Sequence, residues 1–337
     1  MTLLPFYGQG GPLSTGDYHA YVKRQADVDL QKNIRAGQLC CVCNARQMGK
    51  TSLWNYARDS FKNEPYKFAL TNLTKIGKVR QDEAHKWYEG FIRDINHELS
   101  FLSKEELSKF ITDLKGIPSI ALLNEYLRTV CDYFSQNIVI GIDEIDRIID
   151  GSFNYKPLFE FINNTHFESL SFVLIGVATP FELGDKTFNK SVFIDLSAIQ
   201  SDEACLVLSK GFKGLLADPE VVVRQVLSWT GGQPFLTQRA CDFIQIKAKH
   251  DLSFTRMSLQ ELLLAVDENI KYRILDECGE GGLEVHFESI ESLIFEGVYE
   301  KNNQRAGRLL DIYERVLSGE LEKYKGRNRD YLWLCLS

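Results

Sequence analysis

The sequence lacks an excess of basic residues. Its 337 residues include 39 Lys and Arg against 46 Asp and Glu, a formal net charge of −7 at pH 7. Broad, non-specific binding to nucleic acid or to an anionic membrane requires a large positive excess, because phosphates and headgroups are negative. The charge balance therefore argues against both kinds of partner. Hydrophobic residues at 44% and charged residues at 25% are values of an ordinary globular protein.

Long hydrophobic runs are also missing. Runs such as 172–178 fall far short of the roughly 18 apolar residues that a membrane-spanning helix needs. The first ten residues lack the apolar stretch of a signal peptide. Eight cysteines in 337 residues are too few for a disulfide-stabilised secreted domain. We therefore expect a cytoplasmic protein without a membrane partner.

The sequence supports neither a cysteine- or histidine-based metal site nor the active site of a serine hydrolase. Cys40 and Cys43 form one C-x-x-C pair, but they would point to opposite faces of a strand, and no second pair completes a zinc site. Buried structural cysteines are the better interpretation. The six histidines show no ligand spacing, and the G-x-S-x-G motif of a serine hydrolase is absent.

The first half of the chain alternates apolar β-rich runs with helical patterns. Near-continuous apolar runs are typical of strands covered on both faces, and hence of a parallel sheet with crossover helices. The predicted helices between them include 52–61 and 84–99. The predicted strands are 39–43, 66–73, 137–142, 170–177 and, more weakly, 191–196.

Helical patterns dominate from about residue 201 onward. The change near residue 197, and a weaker glycine-rich break at 279–282, predict domains 1–197, 198–272 and 273–337. The apolar ending 331–337 has no cap or polar tail. It indicates either a chain cut from a longer protein or a buried terminal strand or helix.

The strongest motif lies between the first predicted strand and the next helix. Residues 44–51, Asn-Ala-Arg-Gln-Met-Gly-Lys-Thr, match the phosphate-binding pattern G-x-x-x-x-G-K-[ST] except at Asn44. In such a loop, backbone N–H groups and a helix N-terminus face the phosphates. Lys50 would neutralise the β- and γ-phosphates, and the Thr51 hydroxyl would bind Mg²⁺. Asn44 would supply the left-handed conformation that the first glycine usually provides. A chance Gly-Lys-Thr on a surface turn is the alternative.

A second motif ends the third predicted strand. Ile138 to Ile142 is apolar and is followed by Asp143 and Glu144. Asp143 would hold Mg²⁺, and Glu144 would polarise the water that attacks the γ-phosphate. A solvated acidic turn is the alternative, but both motifs would meet at the carboxyl edge of one sheet. Asp146 is predicted to be a solvated charge at a helix start.

Two further segments allow a functional and a structural interpretation. Thr179, just after the fourth predicted strand, is either a sensor of the γ-phosphate or the N-cap of a helix that begins with Pro180. For residues 229–234, Trp-Thr-Gly-Gly-Gln-Pro, the structural interpretation is an ordinary helix–turn–helix connection in which proline starts the second helix.

Taken together, these residues resemble the AAA-like domain family of STAND-type signalling NTPases, which is related to the origin-recognition branch of P-loop ATPases. The resemblance covers nearly the whole chain. The residues that carry it lie at 11–12, 21–27, 44–51, 73–77, 142–146, 176–180, 230–234 and 305–310.

The resemblance implies a fold and a nucleotide site. The fold would be α/β: an ASCE-type P-loop NTPase core with a five-stranded parallel sheet, a helical lid and a partial winged-helix domain. The catalytic residues would be Lys50, Glu144 and Thr179, and the metal ligands Thr51 and Asp143. The nucleotide-binding residues would be Tyr21, Val22 and Arg24 near the adenine, Asn44, Ala45, Arg46, Gln47, Met48, Gly49, Lys50, Thr51 and Ser52 in the loop and its helix, and Pro234 in the lid.

The function implied is that of a nucleotide-dependent conformational switch. It would bind ATP or ADP with Mg²⁺, hydrolyse ATP slowly, and act on protein partners or fused sensor and effector domains, with a possible nucleotide-dependent homo-oligomer. Specificity for ATP over GTP rests on the resemblance and on the absence of a suitably placed N-K-x-D. The alternatives are a DNA-remodelling ATPase of the origin-recognition type and a nucleotide-binding scaffold without turnover.

Overall fold

The computed structural model describes residues 6–8, 10–76, 83–146, 154–165, 167–177, 190–251, 253–254, 256–276, 283–295 and 304–318. Contacts divide the chain into two compact units. The sheet unit comprises residues 25–44 and 53–195, and the helical unit comprises residues 1–24, 45–52 and 196–337. The predicted limits at 197 and 272 stay predictions.

The strands of the sheet unit are β1 (Cys40–Cys43), β2 (Tyr66–Asn72), β3 (Asn137–Asp143), β4 (Leu170–Gly176) and β5 (Val192–Phe193). They form a five-stranded, entirely parallel sheet with the order β2-β3-β4-β1-β5. The α/β fold with a five-stranded parallel core is therefore confirmed. The weak fifth prediction, 191–196, is a strand over two residues only.

Helices connect these strands, as the pattern predicted. Helix α2 starts with residues of the helical unit and continues in the sheet unit. The helices of this half are α1 (Gln25–Arg35), α2 (Lys50–Ser60), α3 (Leu73–Ile76), α4 (Ala84–Leu99), α5 (Lys104–Asp113), α6 (Ser119–Tyr133) and α7 (Lys156–Asn164).

The centre of the sheet is buried on both faces. Every residue of β4 is buried, and β3 is buried from Ile138 onward, as expected for continuous apolar runs in a parallel sheet. Trp87 and Phe91 of α4 stack at 5.3 Å between ring centroids within this core. Gly141 of β3 leaves room for Trp54 of α2, since a Cβ there would lie 2.8 Å from the indole ring.

Buried thiols line β1. Cys40 and Cys41 are fully buried, and burial raises the pKa of each to about 12. Thiols with such pKa values are protonated at neutral pH and hence poor nucleophiles and metal ligands. The interpretation of these residues as packing cysteines agrees with this environment.

The helical unit has its own core. Its helices are α8 (Ser201–Leu208), α9 (Pro219–Thr230), α10 (Pro234–His250), α11 (Leu259–Ile270), α12 (Leu283–Phe295) and α13 (Gln304–Leu317), with a π-helical turn at Lys271–Asp276. Apolar residues of α8 to α12 form one cluster with Tyr7 and Val22 of the N-terminal segment.

The N-terminal segment is fastened to this unit by hydrogen bonds. The Tyr7 hydroxyl donates to the Leu208 carbonyl at 2.7 Å, and the Gly8 N–H donates to Gln238 Oε1 at 3.1 Å. Gln238 Nε2 in turn donates to the Ala20 carbonyl at 2.7 Å. Residues 6–8 and 10–24 therefore pack with the helices that follow residue 196, although they come first in the chain.

Some predictions concern residues outside the described ranges. Thr179 and Pro180 lie there, as do the glycine-rich break and the apolar ending 331–337. Helices α12 and α13 fall in the segment expected to form a winged helix, which stays a prediction. Among the described helices, none combines the length and apolar character needed to cross a membrane.

Candidate functional site

The loop of the first motif, here loop 44–49, connects the end of β1 to the first residue of α2. The Asn44 N–H donates to the Gly176 carbonyl at 3.2 Å and so continues the β1–β4 ladder by one residue. The left-handed positions of this loop are Gln47, with φ 60°, and Gly49, with φ 82°. The expectation of a left-handed Asn44 was therefore wrong, because its backbone pairs with β4.

Lys50 bends back across the loop. Its Nζ donates to the Ala45 carbonyl at 2.6 Å, while its backbone begins α2. Thr51 follows in the first turn and is half-buried, whereas Arg46 is exposed. A lysine and a helix N-terminus beside one loop place positive charge and backbone N–H groups together, which is the requirement for binding an anion such as phosphate.

Two side chains bind the loop through its carbonyl groups. Arg24, 8% exposed, donates from Nη1 to the Met48 carbonyl at 2.9 Å and to the Ser197 carbonyl at 3.2 Å. Gln233 donates from Nε2 to the Gln47 carbonyl at 3.3 Å. The expectation that Arg24 lies near the adenine stays a prediction; in the structure its guanidinium binds loop carbonyls. Gln233 lies in the segment 229–234 that the sequence singled out, but only Pro234 of that segment was expected to contact nucleotide.

The other residues predicted to bind nucleotide have mixed surroundings. The Val22 side chain belongs to the core of the helical unit, and Tyr21 is buried beside Tyr18, so their expected role near the adenine stays a prediction. Ser52 Oγ accepts a hydrogen bond from the Leu13 N–H at 2.9 Å, which gives this hydroxyl a structural partner.

The segment before Pro234 is a tight connection between α9 and α10. Gly231 and Gly232 both have positive φ, and Gln233 is the N-cap whose Oε1 accepts from the Leu236 N–H at 2.6 Å. Pro234 is the first residue of α10. The helix–turn–helix interpretation with proline at the helix start is confirmed.

The acidic pair forms a sharp turn at the end of β3. Asp143 is the last residue of the strand and is 5% exposed. Glu144 adopts φ 60°, and its N–H donates to Asp143 Oδ1 at 2.9 Å. This bond orients the Asp143 carboxylate, and the left-handed residue turns the chain immediately after it.

The turn then passes over the end of β4. The Ile145 N–H donates to the Ile175 carbonyl at 3.2 Å, and Asp146 Oδ1 accepts from the Val177 N–H at 3.1 Å. Asp146 is half-buried. Asp146 begins a helical segment, as predicted, but it is not simply a solvated charge, because its carboxylate accepts a hydrogen bond at the end of β4.

The sheet brings the ends of β1 and β3 to one edge. Both strands pair with β4, and Ile142 is level with Leu174 while Cys43 is level with Gly176. Asn44 and Asp143 thus lie at the carboxyl edge on either side of β4, two strand spacings or about 10 Å apart. The carboxyl edge of a parallel sheet is the usual place for a ligand site in α/β folds.

Comparison with known proteins gives the family. Residues 11–266 match the AAA-like domain. The chain belongs to this family. An uncharacterised WD repeat-containing protein of Synechocystis sp. is 31% identical over 326 residues, which cover 92% of this chain but 26% of that protein. The AAA-like domain described here therefore spans about a quarter of that relative.

Solved structures with the same fold include two archaeal proteins. The Walker-type ATPase of Pyrococcus abyssi aligns with a TM-score of 0.51 and 14% identity over 85% of this chain and 80% of that one. The ORC1 protein of Aeropyrum pernix, solved in complex with DNA, aligns with a TM-score of 0.50 and 13% identity over 90% and 79%. The AAA-like domain thus has a P-loop ATPase fold.

Proposed function

We propose that this AAA-like domain binds ATP with Mg²⁺ and uses it as a conformational switch. The observation that carries the proposal is loop 44–49, which has Lys50 bent across it and leads into the N-terminus of α2. Nucleotide phosphates would replace the Ala45 carbonyl as the partner of Lys50 Nζ. The exchange is favourable because a charge-assisted bond to phosphate is stronger than one to a neutral carbonyl.

The residues at hand suit a magnesium ion. Mg²⁺ prefers hard oxygen ligands and keeps several waters, and it binds proteins through one or two carboxylates and the substrate phosphates. The Thr51 hydroxyl and the Asp143 carboxylate provide such oxygens, and the Glu144 N–H already orients that carboxylate. When bound, the ion would neutralise charge on the β- and γ-phosphates.

Glu144 is the proposed base for hydrolysis. It follows the metal ligand directly, and its half-buried position at a strand end suits a carboxylate that orients a water molecule. A switch requires only that nucleotide states differ in their contacts, so turnover is expected to be slow. The WD repeats named in the Synechocystis relative, of which this chain covers 26%, favour a role beside sensor or effector modules.

The test measures binding and turnover separately. Lys50→Ala should weaken ATP binding at least tenfold, while Glu144→Gln should bind ATP normally and lose phosphate release. Lys104→Ala is the matched control, because Lys104 also begins a helix, α5, but follows no such loop. Unchanged ATP binding in the Lys50 variant would refute the site.

A DNA-dependent ATPase is the second candidate. The fold similarity to an ORC1 protein solved with DNA favours it, whereas the net charge of −7 opposes it. Adding duplex DNA to the phosphate-release assay separates the two. Stimulation that falls steeply with salt would support the DNA-dependent enzyme, and ATP binding without phosphate release would support a scaffold.

A further inference from the structure

Loop 44–49 is part of a closed circuit of contacts within the helical unit. Gln233 binds the Gln47 carbonyl, and Arg24 binds the carbonyls of Met48 and Ser197. Two residues beyond Ser197, the Ile199 N–H donates to the Gly232 carbonyl at 2.8 Å, and Gly232 directly precedes Gln233. The circuit therefore returns to its starting point, so the loop, Arg24 and the turn before α10 are joined by hydrogen bonds on both sides.

Two positions of this circuit exclude a bulkier residue. Gly232, with φ 75°, packs so closely on the Ile199 carbonyl that a Cβ would collide with backbone atoms. At Gly49, with φ 82°, a Cβ would lie 3.2 Å from Arg24 Nη2. The glycines allow the turn before α10 and the loop to approach their partners closely.

Holding a carbonyl also fixes the next amide. In a trans peptide, the C=O of one residue and the N–H of the next point in opposite directions across one rigid plane. Gln233, by binding the Gln47 carbonyl, therefore orients the Met48 N–H away from itself. Arg24, by binding the Met48 carbonyl, orients the Gly49 N–H in the same way.

We propose that Gln233 and Arg24 are positioning residues that hold the Met48 and Gly49 amides ready for nucleotide phosphate and make phosphate affinity depend on the start of α10. The inference rests on the proposed function, since it concerns the same loop. Gln233 links both parts because its Oε1 caps α10 while its Nε2 binds the loop. A shift of α10 would release the Gln47 carbonyl and loosen the phosphate-binding amides.

We call the Gln233 and Arg24 bonds to the Gln47 and Met48 carbonyls the clamp. Two substitutions at Gln233 separate this clamp from the cap of α10. Gln233→Glu keeps an oxygen for the Leu236 N–H but loses the donor to Gln47. In Gln233→Asn, the new asparagine is a favoured N-cap residue and is neutral. Its side chain is one methylene shorter than that of glutamine, too short to reach the loop. The matched control is Gln200→Glu, at the N-cap of α8, where the amide donates to the Ala198 carbonyl at 3.5 Å.

The measurement compares ADP with adenosine, which lacks phosphate. ADP affinity is measured by calorimetry, and adenosine affinity by saturation-transfer NMR. Both Gln233 variants should bind ADP about five- to tenfold more weakly, the effect of one hydrogen bond, with adenosine affinity unchanged. Gln200→Glu should bind both ligands like the unsubstituted chain.

The outcomes distinguish the clamp from the site itself. ADP binding that depends on Lys50 but stays within twofold in both Gln233 variants would overturn the clamp alone. An equal loss of ADP and adenosine affinity would also overturn it, because the effect would then not concern phosphate. A loss of ADP affinity in Gln233→Glu but not in Gln233→Asn would also overturn the clamp, because the loss would then come from repulsion between the glutamate and the phosphates. Equal ADP binding by the unsubstituted chain and Lys50→Ala would refute the nucleotide site, and the clamp with it.

Discussion

At the scale of single residues, two of the residues predicted to act on nucleotide have unusual backbone angles. Gln47 and Glu144 both have φ 60°, a conformation that costs about 1 kcal/mol for a residue with a Cβ. One lies in the loop after β1 and the other just after β3. Surrounding hydrogen bonds maintain both, since the Gln47 carbonyl binds Gln233 and the Glu144 N–H binds Asp143. Such strained positions cluster at binding and catalytic sites.

Gly176 allows the turn after β3 to cross the end of β4. A Cβ at Gly176 would lie 2.7 Å from Ile145 Cγ1 and 3.0 Å from the Ile145 backbone nitrogen. Since backbone cannot yield as a flexible side chain does, Gly176→Ala should destabilise the protein by about 1–3 kcal/mol. Thermal and urea unfolding measure the loss.

Gly307 provides the contrasting substitution. It lies within α13, and a Cβ there would meet no atom of the described residues within 4 Å. Gly307→Ala should leave stability unchanged or raise it by up to about 1 kcal/mol, because alanine favours a helix. Equal melting temperatures for the two alanine variants would contradict the close packing at Gly176.

At the scale of elements, local signals define where some helices begin. Ser103 and Glu106 start α5 with a reciprocal capping box, and Ser258 and Glu261 start α11 in the same way. The serine side chain accepts from the third N–H of the helix, and the glutamate binds back to the serine. Both starts follow from residues three apart, so they do not depend on the rest of the fold.

The cap of α11 gives a pH-dependent prediction. Hydrogen bonds from the Ser258 hydroxyl and N–H lower the pKa of Glu261 below its ordinary value. A carboxyl whose pKa is lowered on folding stabilises the helix start above its unfolded pKa. That contribution disappears as the pH falls through the folded pKa. Carboxyl-carbon NMR should show the pKa of Glu261 rising in Ser258→Ala, where the hydroxyl donor is missing.

Ser258→Thr is the conservative control, because threonine keeps the hydroxyl. The pKa of Glu261 should then remain low. If the alanine variant showed the same pKa as the unsubstituted chain, the hydroxyl would have no part in the cap.

At the scale of the whole molecule, segments that are neighbours in sequence do not always belong to the same compact unit. Residues 45–52 emerge from β1 but group by their contacts with the helical unit, as do residues 6–24. The loop proposed to bind phosphate is thus held by groups far along the chain. Gln233 and Gln47 are separated by 186 residues.

This arrangement predicts where ADP protects the backbone from hydrogen exchange. With ADP and Mg²⁺, exchange should slow in loop 44–49, in the turn after β3, and at residues 230–236 that begin α10. The last of these is expected because the Gln233 contact transmits order from the loop to α10. Hydrogen-exchange mass spectrometry with and without ligand measures it, and peptides from α5 provide an internal reference. Slower exchange in the loop without slower exchange at 230–236 would contradict the coupling of the loop to the start of α10.

The fold class was predictable from sequence because its signals are local. Continuous apolar runs over β3 and β4 predicted a parallel sheet buried on both faces, and the structure has that sheet. The loop motif with its flanking strand and helix was equally clear. These features depend on neighbouring residues, whose apolar pattern and turn residues favour a strand, a loop or a helix before the segments pack together.

Only the tertiary structure decided how the loop is held. No pattern indicated that Arg24 would bind the Met48 carbonyl, that Gln233 would reach Gln47, or that Asp146 would bind the end of β4. Asn44 was misjudged for the same reason, since its conformation depends on pairing with Gly176. Each of these bonds joins residues distant in sequence. Such a bond forms only when packing brings its two residues together, and the sequence alone does not show which distant residues will come within hydrogen-bond distance.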